Sequence, residues 1–206
     1  AEALAIARSL LQGGGSKAIL LGNAAAHHEQ ASSLLALVQW IAQHTGAHFG
    51  YLTEAANTVG AQCVGAWPQA GGLHAAQMVR GALQAAVLLH TEPQWDCAAG
   101  SAAVQGLQSA QTVITLSPFK TNLDISDVLL PVSPFSETSG SFVNAEGRLQ
   151  SFHAVVRPLG ETRPAWKVLC ALARMLGAAQ LDFENSQQVL QLCRVLGTAS
   201  GSAPTS

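Results

Sequence analysis

Five short apolar runs, spaced along the chain and separated by amphipathic or irregular stretches, constrain the fold more than any other feature. Lys17 to Leu21 is continuously apolar after its lysine and stops at Gly22-Asn23, which reads as a buried parallel strand followed by a turn. His48 to Leu52, Ala85 to His90, the β-branched Thr112 to Leu116 and Asp127 to Pro131 repeat that length and character. Helical periodicity fills the gaps. Residues 2–12 place Leu4, Ile6, Leu10 and Leu11 near one face and end at Gly13-Gly14-Gly15. A second helix runs from an N-cap at Ser32 or Ser33 to Gly46, and shorter ones cover 75–83 and 101–109. Near the end, Pro164 opens a helix in its first turn; Val168, Leu169, Leu172, Ala173 and Leu176 form its stripe and Gly177 stops it. A last helix spans about 184–196 and includes Val189, Leu190, Leu192, Val195 and Leu196. Strands alternating with helices imply an α/β domain: three layers, a mostly parallel sheet covered on both faces, with a hairpin and terminal helices added. The domain is expected over 1–196, with a disordered tail at 197–206.

Charge narrows the possible partners. Only 11% of the residues are charged, against roughly 25% in an ordinary soluble domain, and 49% are hydrophobic, which fits either a surface partly covered by other protein or simply an Ala- and Gly-rich sequence. A net charge of −2 with no basic run argues against nucleic acid. No run reaches the roughly 18 apolar residues that span a bilayer, and no signal peptide opens the chain. An N-terminus lacking methionine and already inside a helical pattern suggests a domain taken from a longer protein. Cys63, Cys97, Cys170 and Cys193 are too scattered for a cluster-binding or disulfide pattern.

The stretch from Asp127 to Gln150 holds the densest structural punctuation. After the strand Asp127 to Pro131, Ser139-Gly140 marks a turn and Phe142-Val143 an extended piece. Asn144 to Gly147 reads as a tight turn, with Gly147 able to take positive φ and Asn144 able to bond its own backbone. Arg148 to Phe152 alternates as a half-buried strand does. These residues carry a resemblance. Asp127-Val-Leu-Leu-Pro131, Glu137, Gly140-Ser-Phe142, Asn144, Glu146-Gly147-Arg148 and Gln150 resemble the molybdopterin oxidoreductase superfamily. A second block follows in Pro158, Gly160-Glu161, Arg163-Pro164, Trp166-Lys167, Leu172-Ala173 and Leu176-Gly177. Together they are most similar to the large iron-sulfur subunit of bacterial NADH-quinone oxidoreductase, respiratory complex I. Asn57, Gly60 and Gly65 fit a weaker upstream element. Two departures stand out: Ser126 replaces the usual alanine, and Asn122-Leu123 the usual Thr-Ala pair.

The resemblance implies a structural and assembly domain with no redox centre of its own, inside a large subunit whose iron-sulfur clusters lie elsewhere. Its partners would be the other peripheral-arm subunits, and its location the cytoplasmic face of the bacterial inner membrane without insertion. The family residues Asp127, Pro131, Glu137, Gly140, Asn144, Glu146, Gly147, Arg148, Gly160, Glu161, Arg163 and Trp166 would then serve the structure, with Glu146 and Arg148 joined as an ion pair. The alternative is a fragment of an active molybdopterin enzyme such as a formate dehydrogenase or nitrate reductase. In it the strand ends at 22–28, 90–96 and 117–127 would hold the nucleotide end of the cofactor, through Gly22, Asn23, Glu92 and Asp127.

Other chemistry is thin. His27-His28 are adjacent and point apart, with only Glu29 near in sequence, and His44 and His48 are separated by the helix end at Thr45-Gly46. Neither pair supports a metal. The loop after the first strand lacks GxGxxG, and no GxSxG occurs.

Overall fold

The computed structural model describes residues 2–81, 83–178 and 181–200, the side chains of 195–200 excepted. In chain order the elements are α1 (Glu2–Gln12), β1 (Ala18–Leu21), α2 (Asn23–Ala26), α3 (Ala31–Thr45), β2 (His48–Tyr51), α4 (Thr58–Cys63), α5 (Ala75–Met78) and β3 (Ala85–Leu89). They continue with α6 (Pro93–Asp96), α7 (Ser101–Gln108), β4 (Thr112–Ser117), β5 (Val128–Pro131), a 3₁₀ turn (Phe135–Glu137), β6 (Gly140–Val143), β7 (Leu149–Phe152), α8 (Ala165–Met175) and α9 (Ser186–Ser200). The chain divides into two units, Ala1–Ala61 with Phe142–Gln150, and Gln62–Ser141 with Ser151–Ser206.

The expected α/β class with parallel strands and helices holds. In the first unit β1 pairs with β2 in parallel, Ala18 opposite His48, with α3 as the crossover. Gly46 ends α3 in the left-handed region, φ 68°, as a glycine at that place allows. The helix begins at Ala31 after Gln30, so Ser32 and Ser33 lie in its first turn and do not cap it. In the second unit the parallel order is β3-β4-β5. The parallel strands therefore fall into two sheets, and β6 and β7 make a third, two-stranded one.

The core belongs to β4, the strand with a neighbour on each side. Leu116 and Thr115 are fully buried. Ala86, Leu88, Leu107, Val113 and Ile125 form the apolar cluster beside them, with α7 lying on it through Ala103 and Leu107. Gly106 lets α7 approach closely, because a Cβ there would sit 2.7 Å from the Val79 carbonyl carbon. Cover is uneven. Val87 stays 53% exposed on the other face of β3, because the connection from β2 carries only the short α4 and α5. The expected irregular span 53–74 thus holds one short helix, and α5 is shorter than the expected 75–83.

Pro131 still takes a place in the sheet, opposite Ser117, and Val132 donates to the Ser117 carbonyl at 3.2 Å. Pro164 stands just outside α8 with ψ 136°, one position before the expected first turn. Gly177, φ 66°, closes α8 in a Schellman arrangement: Ala178 N donates to Ala173 O at 2.9 Å and Gly177 N to Arg174 O at 3.1 Å. α9 runs through Ser200; positions 201–206 of the expected tail, and the side chains of Val195 and Leu196, lie outside the described residues.

Candidate functional site

Open parallel sheets take ligands outside the carboxyl ends of their strands, so the crevice after β3 and β4 is the place to look. His90 follows β3 with φ 50°, and Asn122 lies after β4 with φ 54°; both are left-handed non-glycine residues. Such backbone persists where its surroundings over-determine it. Asn122 supplies the reason for its own case: its Nδ2 donates to the Thr91 carbonyl at 2.9 Å and lies 3.5 Å from Thr115 Oγ1. His90 keeps an exposed edge, yet burial of its ring holds the imidazole pKa below the ordinary histidine value.

Several polar groups of the crevice already have partners within the chain. Asp96 accepts from Glu92 N at 2.6 Å and from Thr91 Oγ1 at 3.3 Å, closing α6 on itself. Ser117 Oγ accepts from Phe119 N at 3.1 Å. The buried Thr115 hydroxyl pairs with Ser126 Oγ at 2.6 Å. Both departures from the family pattern therefore meet at Thr115: a buried hydroxyl needs a partner, and Ser126 and Asn122 reach it.

The four residues of the alternative cofactor reading occupy different places. Gly22 precedes α2 and Asn23 begins it, in the first unit. Glu92 follows β3 at its carboxyl end, partly buried. Asp127 stands at the opposite end of its sheet, before β5. There its Oδ2 accepts from Val113 N at 2.7 Å while its own N donates to Val113 O at 2.9 Å. This reciprocal pair sets the register of β5 on β4.

The family residues of the hairpin have local tasks. Asn144 Oδ1 accepts from Glu146 N at 3.1 Å and Arg148 N at 2.9 Å, and Gly147 takes φ 80°, as the turn requires. The expected Glu146–Arg148 ion pair is not among the ion pairs of the described residues; Asn144 closes the turn because its short carboxamide reaches two backbone donors at once. Gly140 leaves room for Phe152, whose ring would be 2.8 Å from a Cβ there and which stacks on Phe135 at 4.7 Å. Asn57 reaches across 86 positions to accept from Val143 N at 2.9 Å. Gly60 makes that bond possible, since any Cβ would collide with Asn57 Oδ1. Gly65 takes φ 71° beyond α4. Farther along, Glu137 Oε2 accepts from Leu159 N at 3.0 Å and so fixes the turn containing Gly160, φ 57°. Glu161 lies 3.7 Å from Arg163, both exposed.

Sequence spacing missed Glu54, whose Oε2 is 2.8 Å from His27 Nε2, because 27 positions separate them. His28 accepts from Gln30 N instead of facing its neighbour, and His44 bonds the Trp40 carbonyl at 2.7 Å. Among the described residues no three His, Cys, Asp or Glu side chains gather as a metal site, the cysteines are unpaired, and no helix is long and apolar enough to cross a membrane.

Comparison with known proteins agrees with the α/β class. A 68-residue stretch is 38% identical to the protein named probable oxidoreductase YjgC of Bacillus subtilis strain 168, covering 33% of this chain and 7% of that one. A 52-residue stretch is 46% identical to a protein named "putative formate dehydrogenase" of Staphylococcus aureus strain bovine RF122 / ET3-1, covering 25% of this chain and 5% of that one. The counterpart in strain USA300 is 44% identical over the same length. These matches span well under a tenth of the relatives' own length. The profile of the molybdopterin oxidoreductase family matches residues 5–175, and the chain belongs to that family.

Proposed function

We propose that this chain is the C-terminal part of the molybdopterin oxidoreductase-like domain of a complex I large iron-sulfur subunit, and that it acts there as a structural and assembly domain. Other peripheral-arm subunits would cover its exposed apolar residues, on the cytoplasmic side of the membrane. The parent protein would carry iron-sulfur clusters elsewhere and take part in NADH-to-quinone electron transfer.

The observation that carries this reading is the inward-turned crevice after β3 and β4. Its amide and hydroxyl groups, and the Asp96 carboxylate, bond neighbouring backbone or side chains. Its charges also suit a nucleotide diphosphate poorly: the segment after β3 carries Glu92 and Asp96 and no Lys or Arg, the segment from Pro118 to Asp127 carries Lys120 with Asp124 and Asp127, and burial disfavours the charged form of His90. The residues present therefore fit a pterin nucleotide poorly, and no catalytic step is routed through one. The block Asn144, Glu146-Gly147-Arg148, Gly160-Glu161 and Arg163-Pro164 supports the complex I assignment by resemblance.

A second reading has its own support. The similarity to proteins named formate dehydrogenase favours a fragment of an active molybdopterin enzyme, with the partly buried Glu92 as a carboxylate at the end of β3. Elemental analysis for molybdenum and tungsten, with pterin fluorescence on the full-length parent protein from its native host, separates the two. Iron with NADH dehydrogenase activity and neither molybdenum, tungsten nor pterin is the expected result. Stoichiometric metal and pterin would overturn the assembly reading.

A further inference from the structure

The second family block lines a groove for which an assembly role gives no account. Past the carboxyl end of β5 the chain continues through Val132, which bridges to Arg163 in parallel, and Ser133 N donates to Arg163 O at 2.9 Å. These bonds hold Arg163-Pro164, and with them the start of α8, beyond the strand end, the side of a parallel sheet where ligands bind. The groove there has a volume of about 540 Å³. Its charged lining is Arg157, Arg163 and Lys167 against Glu137 and Glu184.

Existing partners sort these groups. Glu137 is engaged by Leu159 N. Arg163 donates Nη1 to the Thr162 carbonyl at 2.8 Å and has Glu161 3.7 Å from its Nη2. Lys167 stands with its Nζ 5.2 Å from the centre of the Trp166 ring, and Arg157 is exposed on the groove. The chain has only ten Lys and Arg in 206 residues, and three of them line this groove against two carboxylates, Glu137, already engaged, and the exposed Glu184, which leaves the lining net positive. The positive end of the eleven-residue α8 points the same way. α9 contributes less, because Asn185 Oδ1 already caps it by accepting from Gln187 N and Gln188 N.

We infer that this groove binds an oxyanion of the carboxylate or phosphate type, with Arg157 and Lys167 as its charge contacts. Charge-assisted bonds to two cations are directional enough to fix such a group, and the Trp166 ring, 5.2 Å from Lys167 Nζ, holds that ammonium by a cation–π contact. The inference stands whether the parent is a complex I subunit or a molybdopterin enzyme.

Isothermal titration of the full-length protein tests it, using sodium phosphate and sodium succinate against sodium chloride at matched ionic strength. Saturable binding is expected for at least one of the two, weakened about tenfold in the Arg157→Gln/Lys167→Gln double variant. Arg174→Gln, in the last turn of α8 and outside the groove, should bind as the unaltered protein does. Preference for phosphate identifies a phosphate ester as the ligand class, and preference for succinate a carboxylate. All the substituted side chains are exposed, so folding should be unchanged, and Arg157→Lys should restore part of the affinity. No saturable heat with either anion, equal affinity in the double variant, or equal loss in Arg174→Gln would overturn the assignment.

Discussion

Two parallel sheets in this chain are built from short strands, yet they are secured in different ways. In β3-β4-β5 the middle strand has a neighbour on each edge and α7 on one face, so Leu116 is 0% exposed and Val113 1%. In β1-β2 both strands are edges, and Leu20 is 61% exposed. The first unit makes up for thin packing with side chain to backbone bonds, Asn57 to Val143 and Asn144 to its own turn, which Gly60 and Gly147 permit. One sheet is specified by filled volume and the other unit by placed polar groups, so the two should fail differently.

The widest contrast is between two leucines. Leu116→Ala should lower stability by about 2–5 kcal/mol, the usual range for emptying a packed site. Leu20→Ala should stay within about 0.5 kcal/mol, as exposed substitutions do. Urea unfolding monitored by circular dichroism measures both, and similar midpoint shifts for the two would break the comparison. Gly106→Ala comes next. Its Cβ meets Val79 backbone, which cannot swing aside, so a loss of about 1–3 kcal/mol is expected, whereas Gly14→Ala, with open space around it, should lose little.

Asn57→Ala removes one bond and should cost about 1 kcal/mol. Hydrogen exchange gives a sharper readout: the Val143 amide should exchange faster while the β4 amides keep their protection. Gly60→Ala should reproduce that pattern, because its Cβ would evict the Asn57 carboxamide. Faster exchange at β4 in either variant would show that the polar clamp and the packed sheet are not independent.

The smallest effect is titration of His90. Its folded-state pKa lies below the unfolded value, so on acidification the unfolded chain binds the proton first. The stability due to neutral His90 is present above about pH 6.5 and declines as the pH falls from there toward the folded-state pKa. His90→Gln should flatten that part of the pH–stability curve, and an unchanged curve would remove His90 from the account.

The strands and their direction were legible because a parallel strand reads as a short apolar run, and five such runs stand between turn residues; the expected burial of the first run was not met, since β1 and β2 keep exposed and half-buried residues throughout. Gly46, Gly147 and Gly177 marked turns and helix ends because positive φ favours glycine. The asparagine at the hairpin turn followed from the same local chemistry. Glu146–Arg148 was misread, since opposite charges two apart invite an ion pair, whereas Asn144 reaches the backbone with less loss of side-chain freedom. His27–Glu54, Asn57–Val143 and Thr115–Ser126 join positions 27, 86 and 11 apart, and one-dimensional spacing carries no signal for them.

By itself, then, the sequence determined the family, the α/β alternation and the left-handed turns, since each depends on residues adjacent in the chain. Only the tertiary structure decided which sheet acquired a filled core, how the β3–β4 crevice turned its polar groups inward, and that Glu137 and Glu184 share a groove with Arg157 and Lys167. Those outcomes depend on which distant segments meet, and on whether a buried polar group finds its partner there.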